Sequence, residues 1–335
     1  MDLAFYLYFE FHRSTLWPVY SLLKDKFECL FTSHAELIVR SRPKAIVLAE
    51  RQYERFRETL PDVPLIWLRH GFASKNNFAP SVSGCDFACV NSDWVKEQCL
   101  VDGLSPRKDF WVTGFVSADE IFEPAGHIQQ VLTQAGLSFD RKTLLYAPTY
   151  NEMLNSFEVL GCQWIDALFE HFGQINLIIK PHPVTPALSP AWMGYWRQAQ
   201  ARHASVYLVE DTHSSVYSYF QIADVLISDA SSVMFYFLAL DRPIVLVTNP
   251  KRTDEKLFYD PAGPEWTWRD LGLEVFGSDQ LMNAVESCLR EPQSNSEKRK
   301  YYATRVFGNL ADGGSAQRVA GNLERLLAHQ QSSRV

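Results

Sequence analysis

The segment Asp224–Pro243, DVLISDASSVMFYFLALDRP, sets a buried-strand run against Asp229-Ala230-Ser231-Ser232 and then an apolar helical run. The first amides of a helix lack acceptors within it, and the helix dipole adds partial positive charge there. With two serine hydroxyls added, the segment suits an anion, phosphate above all. An ordinary N-cap at Asp229 or Ser231 gives the same pattern, and the two roles are compatible. A second segment, Lys180-Pro181-His182-Pro183, closes the apolar run NLIIK. Its two prolines fix the backbone around His182 and so aim the imidazole. A third, Trp67-Leu68-Arg69-His70-Gly71, continues to Lys75. Gly71 permits a sharp turn, and a histidine of near-neutral pKa can take a proton from a hydroxyl. Either histidine reads equally as a turn residue bonded to backbone.

Two further segments carry weaker signals. In Ala147-Pro148-Thr149-Tyr150, Thr149 can reach a phosphate or cap a turn. In Asp312-Gly313-Gly314-Ser315, Ser315 caps the last helix and Arg318 lies one turn in, where an arginine can bind phosphate. A capped surface helix is the simpler local reading there. His12, His34, His127, His171, His203 and His213 lack supporting spacing and read as structural. The sequence holds no P-loop, no GxSxG, no HExxH and no full GxGxxG.

The elements that must position these residues alternate between short apolar runs and helical patterns. In the first half, Leu3–Phe9, Cys29–Thr32, Lys44–Ala49, Pro64–Leu68, Phe87–Val90 and Phe110–Thr113 read as strands. Helices are expected at Trp17–Phe27, Glu50–Thr59 and Ser92–Val101, the last capped by Ser92. After a connecting helix at Pro124–Gly136 the pattern restarts. Strands follow at Thr143–Tyr146, Asn176–Lys180, Ser205–Leu208, Asp224–Ser228 and Pro243–Thr248. Helices follow at Cys162–Phe172, Val216–Ile222, Ser231–Leu240, Ser278–Arg290 and Ser315–His329. This alternation predicts an α/β fold of two doubly wound, Rossmann-like domains facing a cleft. The expected bounds are 1–136 and 137–314, with 315–335 crossing back to the N-terminal domain. Ligands of such sheets lie beyond the carboxyl ends of the strands, so residues directly after a strand rank first. A hinge near Glu123–Gly126 would close one half on the other.

Composition bounds the function. The chain has 335 residues, with 32 Lys and Arg against 39 Asp and Glu, a formal net charge of −7. That balance argues against a dedicated nucleic-acid binder, which needs a basic surface. With 47% hydrophobic and 21% charged residues it is no disordered chain. No stretch approaches the roughly 20 apolar residues of a spanning helix. The richest, Val225–Leu246, is broken by Asp229, Asp241, Arg242 and Pro243. None of the six cysteines forms a CxxC pair, so no metal site is expected. Scattered thiols suit a reducing cytoplasm, and Met1-Asp2 opens no secretory signal.

Taken in order, the motifs resemble the CDP-glycerol glycerophosphotransferase family of teichoic-acid and capsule synthesis. The family's tryptophan strand ending in His-Gly, with a lysine just after, is matched by Trp67, His70, Gly71 and Lys75. Its Thr-Gly-x-x-Arg-x-Asp is similar to Thr113–Asp119, its Tyr-Ala-Pro-Thr to Tyr146–Thr149, and its Lys-x-His-Pro to Lys180–Pro183. The hallmark Asp-x-x-Ile-(Ser/Thr)-Asp-x-Ser-Ser, followed by a Pro-Ile strand, is matched by Asp224–Ile244. Asp312–Arg318 is similar to the family's tail motif with one extra residue, and the likeness runs from about residue 60 to 325.

The resemblance implies a glycosyltransferase-B fold with a CDP-polyol, or another nucleotide-activated donor, in the second domain. It implies that His70 deprotonates a hydroxyl of a cell-envelope glycan or lipid-linked acceptor. That oxygen would attack the donor's β-phosphorus and expel CMP. His182 would assist the transfer. Thr149, Asp229, Ser231, Ser232 and Arg318 would bind the donor phosphates, with Gly71 and Lys75 toward the acceptor. No cofactor, metal or nucleic acid is implied. The expected location is cytoplasmic, with peripheral contact at the inner membrane face. The chain departs from the pattern at Arg69, Phe72-Ala73, Ser117, Ala230 and Tyr236, the last standing where an acidic residue is common. Glycerol, ribitol and other polyols stay open. So do a glycosyltransferase or epimerase using a UDP- or GDP-sugar, and a non-catalytic nucleotide-binding protein.

Overall fold

A computed structural model of the chain describes residues 1–49, 52–72, 78–123 and 128–332. Two six-stranded sheets, all strands parallel, organise it. The first contains β1 (Leu3–Tyr6), β2 (Cys29–Thr32), β3 (Ala45–Leu48), β4 (Leu65–Leu68), β5 (Phe87–Val90) and β6 (Asp109–Val112), in the order β2-β1-β3-β4-β5-β6. The second contains β7 (Thr143–Tyr146), β8 (Asn176–Ile179), β9 (Val206–Leu208), β10 (Val225–Ser228), β11 (Ile244–Val247) and β12 (Leu273–Val275), in the order β12-β11-β10-β7-β8-β9. Counted from β7, the latter is the dinucleotide-fold order 3-2-1-4-5-6.

The sequence dictates which strands lie inside. LAFY, AIVL and LIWL of β1, β3 and β4 are buried along their whole length, as strands covered on both faces must be. Strands at the sheet edges carry the polar or half-exposed residues: Asp109 on β6, Glu274 on β12 and all four residues of β2.

The chain divides into two units. One holds Met1–Phe72, Asn77–Glu123 and Thr304–Val335, the other Pro124–Ala303. The core of the first unites β1, β3 and β4 with Ala316, Val319, Ala320, Leu323 and Leu327 of the last helix, Ser315–Ser332. Those residues recur at helical spacing and make one apolar stripe. Burying Val319 and Leu323 completely contributes about 1.5–3 kcal/mol each. The core of the second packs Trp164 and Trp196 around Tyr146, with ring centroids 5.0 and 6.1 Å away.

Several elements differ from expectation. The thirteen-residue helix Pro190–Arg202, the helix Ser296–Phe307 and β12 have no counterpart in the sequence reading. Pro190–Arg202 has little amphipathic contrast, with Gly194 inside it, and buries only Met193, Trp196 and Ala199. Val216–Ile222 shrinks to a single 3₁₀ turn at Tyr217–Tyr219. The first helix runs Arg13–Leu23, with Pro18 inside it, instead of Trp17–Phe27. Glu50, Arg51 and the expected hinge residues Pro124–Gly126 lie outside the described residues.

Candidate active site

The second sheet changes direction between β7 and β10: β7 continues to β8 on one side and β10 to β11 on the other. The loops after these two strands part there, which opens a site beyond their carboxyl ends. The loop after β7 carries Thr149 and the loop after β10 carries Asp229, Ser231 and Ser232. The fully buried Asp229 carboxylate accepts the Thr149 amide at 2.9 Å, and the amide and hydroxyl of Ser156 at 2.8 Å each. Ser228 Oγ donates to the Ala147 carbonyl at 2.7 Å, a second tie across the same junction. The Tyr146 hydroxyl sits 3.0 Å from Ser156 Oγ, and burial holds its pKa well above the usual tyrosine range. Asp229, expected to bind the donor phosphates, is fully buried at this junction. Its carboxylate is engaged by the loop that presents Thr149.

Arg269 supports this loop from behind. Its buried guanidinium donates to the Asp229 carbonyl at 2.8 Å, to Glu274 at 3.0 Å and to Thr248 Oγ1. In a planar trans peptide the carbonyl and the next N–H point in opposite directions. Anchoring the Asp229 carbonyl therefore turns the Ala230 amide away from Arg269. Ser231 is buried and Ser232 half-buried. The helix after them is only Val233–Phe237, continued as a 3₁₀ turn at Leu238–Leu240, in place of the expected Ser231–Leu240. So short a helix has a small dipole, and capacity for an anion rests on the loop hydroxyls and amides. Tyr236 is buried, its ring 5.8 Å from Tyr217.

His182 follows β8 and is half-buried. The Val184 amide donates to its Nδ1 over a long 3.4 Å. In neutral imidazole the accepting nitrogen carries no hydrogen, so the proton sits on Nε2 and the ring presents a donor. The Tyr150 ring packs 4.7 Å from it. Lys180 is buried and ties this turn down by donating to the Thr212 carbonyl at 2.7 Å and the Pro181 carbonyl at 3.3 Å. Burial pushes its ammonium down to about 8.

In the first unit His70 follows β4 and is half-buried. Its Nδ1 lies 2.6 Å from the carbonyl oxygen of Ala49, just past β3. A carbonyl only accepts, so Nδ1 carries a proton, and in the neutral imidazole the lone pair then belongs to Nε2. This tautomer is opposite to that of His182. Arg69, a departure from the family pattern, clamps the turn: Nε donates to the Gly71 carbonyl at 2.7 Å and a terminal nitrogen to the Phe72 carbonyl at 2.9 Å. Its guanidinium stacks 4.1 Å from the Phe78 ring centroid. The fully buried His12 ring lies 4.8 Å from that of His70, and the Phe11 ring 6.0 Å from it. Sequence spacing left His12 structural, because only the pairing of β1 beside β3 brings it to His70. Gly71 is buried and Lys75 lies outside the described residues.

Arg318 stands in the first unit with its guanidinium committed to protein. It bonds Asp312 at 2.7 Å and the Thr113 carbonyl at 2.9 Å. Gly114, at φ +88°, admits Ser315: a Cβ there would meet Ser315 Oγ at 2.3 Å. Asp119 then caps the last helix, accepting the amides of Ser315 at 3.1 Å and Ala316 at 2.8 Å. The segment Thr113–Asp119 is thus a seat for the final helix, and Arg318, expected to bind phosphate, bonds the Thr113 carbonyl and Asp312 beside it. Among the described residues no group of three or more His, Cys, Asp or Glu is arranged to hold a metal ion, and no helix is long and apolar enough to cross a membrane.

Two parallel, doubly wound sheets, one with a histidine and hydroxyls beyond its strand ends and the other with a histidine at the same end, define an α/β protein of the glycosyltransferase-B type. Residues 62–325 match the model of the CDP-Glycerol:Poly(glycerophosphate) glycerophosphotransferase family, and the chain belongs to that family. It is 26% identical over 190 residues to the teichoic acid glycerol-phosphate primase of Bacillus subtilis (strain 168), covering 56% of this chain and 45% of the relative. The match therefore spans somewhat less than half of that relative's length. The fold is similar to the wall teichoic acid polymerase TagF, with TM-score 0.73, 16% identity and coverage of 98% of this chain and 90% of the other. It is also similar to a UDP-N-acetylglucosamine 2-epimerase structure from Listeria monocytogenes, with TM-score 0.64, 14% identity and coverage of 96% and 95%.

Proposed function

We propose that the chain transfers a polyol phosphate, glycerol phosphate in the first instance, from a CDP-activated donor to a hydroxyl of a cell-envelope glycan or lipid-linked acceptor. CMP is released. The acceptor role falls to the first unit and the donor role to the second. His70 Nε2 takes the acceptor's proton as the hydroxyl oxygen bonds to the β-phosphorus. The bond from that phosphorus to the bridging oxygen breaks, and the oxygen leaves with CMP. His182, holding its proton on Nε2, donates to the phosphate that gains charge. Thr149, Ser231 and Ser232 hold the diphosphate, with Asp229 and Arg269 fixing the loops behind them. Lys75 and Gly71 stay assigned to the acceptor side, and Arg318 is a phosphate ligand only if it leaves Asp312. A hydrophobic acceptor would bring the chain to the cytoplasmic membrane face.

The observation that carries this reading is the Nδ1 bond of His70 to Ala49, which makes Nε2 the basic nitrogen. The test is a thermal-shift screen against CDP-glycerol, CDP-ribitol, CMP, UDP-sugars and GDP-sugars. A ligand at about 100 times its Kd stabilises by about 2.7 kcal/mol. Selective stabilisation by cytidine compounds is expected. Stabilisation by a UDP- or GDP-sugar alone would keep the fold and discard the chemistry.

A further inference from the structure

A cavity of about 380 Å³ opens at the carboxyl ends of β1 and β2, lined in part by Tyr8, Glu10, Arg13, Phe31, Thr32 and Ser33. Its volume lies in the range, about 300–1,000 Å³, of pockets that take small molecules. Two of its walls are aromatic. Glu10 and Arg13 are ion-paired to each other, so the cavity presents charged hydrogen-bonding groups of both signs with no net charge. The Arg13 guanidinium is held over Phe31, 5.4 Å from the ring centroid, and over Trp17 at 5.8 Å. From this cavity a run of rings leads to His70. Tyr8 and Phe9 are 4.4 Å apart, Phe9 and Phe11 stack at 5.1 Å, and Phe11 lies 6.0 Å from His70. Tyr8 and Phe9 stay 42% and 44% exposed.

We infer that this cavity binds one neutral sugar ring of the acceptor, an inference that rests on His70 being the base. A sugar ring has an apolar C–H face and a rim of hydroxyls. The exposed Tyr8 ring offers a flat apolar wall for the face, beside Arg13 held over Phe31. Glu10, Arg13, Thr32 and Ser33 offer acceptors and donors for the rim. A poly(glycerol phosphate) acceptor would need surplus positive charge at this spot. Glu10 cancels that of Arg13, so the charge pattern favours a neutral glycan over a phosphate polymer.

The test is saturation-transfer NMR on the full chain with a panel of neutral methyl hexosides and methyl N-acetylhexosaminides, and with an oligo(glycerol phosphate) for comparison. At least one neutral glycoside should receive saturation, and Tyr8→Ala and Arg13→Gln should each cut the effect at least five-fold. CDP-glycerol should still raise the Tm of both variants as in wild type. Wild type that ignores every neutral glycoside, or variants that bind them unchanged, would overturn the inference, as would variant-sensitive binding of the oligo(glycerol phosphate) alone. Glycoside binding lost in the variants, in a chain that ignores CDP-glycerol, would support the sugar site while sinking the donor assignment.

Discussion

The Asp229 carboxylate accepts the Thr149 amide at 2.9 Å across the junction of β10 and β7, joining residues 80 positions apart in the chain. The bond sits where the second sheet changes direction, and it sets the two loops that carry the candidate phosphate ligands in register. Replacing Asp229 with Asn leaves one oxygen where the carboxylate has two, so an NH2 faces either the Thr149 amide or the Ser156 amide and hydroxyl. Leaving such buried groups unsatisfied costs about 1–3 kcal/mol each. Asp229→Asn should therefore lower the Tm by several degrees and weaken CDP-glycerol binding along with it. An unchanged Tm with lost donor binding would restore a direct contact between Asp229 and phosphate.

The opposite tautomers of the two histidines make a second prediction. Gln places its amide nitrogen near the position of imidazole Nε2, whereas Asn places it near Nδ1. His182→Gln should keep a donor where the phosphate gains charge and retain more turnover than His182→Asn. Removing one such donor typically costs about 10²–10³ in kcat. Steady-state CMP release measures both variants, and equal losses would contradict the donor role.

Lys180 gives a pH test. Its ammonium titrates at about 8 in the fold against 10.5 ordinarily, because of burial. Between those values the unfolded chain holds more protons than the folded one, so this group makes stability rise with pH. Below about pH 8 its cost is present in full. The Cys29 and Cys288 thiols, pushed up to about 11 by burial from 9.0, act in the opposite sense above pH 9. The difference between wild type and Lys180→Met therefore isolates the lysine. Chemical denaturation from pH 7 to 10 should show wild type gaining on the variant above pH 8. A constant difference would contradict the assignment.

Arg318 and Asp119 test the seat of the last helix. Asp119→Ala removes the acceptor of two helix-end amides and should cost about 1–2 kcal/mol. Arg318→Gln frees Asp312 and the Thr113 carbonyl and should lower the Tm while leaving CDP-glycerol affinity within a factor of two or so. A large loss of affinity in a variant of unchanged Tm would make Arg318 a phosphate ligand instead.

Much of this was legible from residue order alone. Four-residue apolar runs such as AIVL and VLIS are buried throughout and read as strands without ambiguity. The polar residues after them inherit their importance from that reading, as with Thr149 and His182. What stayed hidden depends on which strands become neighbours. His12 meets His70 only through the order β1-β3-β4, and Arg269 reaches the Asp229 carbonyl from 40 residues away. Arg69 looked like a flaw in the His-Gly motif. Its two bonds to the Gly71 and Phe72 carbonyls identify it as the clamp of that turn. The seat at Asp229–Ser232 was legible as a loop. The length of its helix was not, because MFYFL is apolar on every side and gives no periodicity to mark an end.

The most direct test of the central claim is CMP release from CDP-glycerol, in the presence of a glycan or lipid-linked acceptor, by wild type and by His70→Asn. The asparagine amide can keep the bond to the Ala49 carbonyl but offers no base. The account predicts acceptor-dependent CMP release by wild type and a loss of about 10²–10⁴ in the variant, with CDP-glycerol affinity little changed. A variant that turns over at the wild-type rate would contradict it.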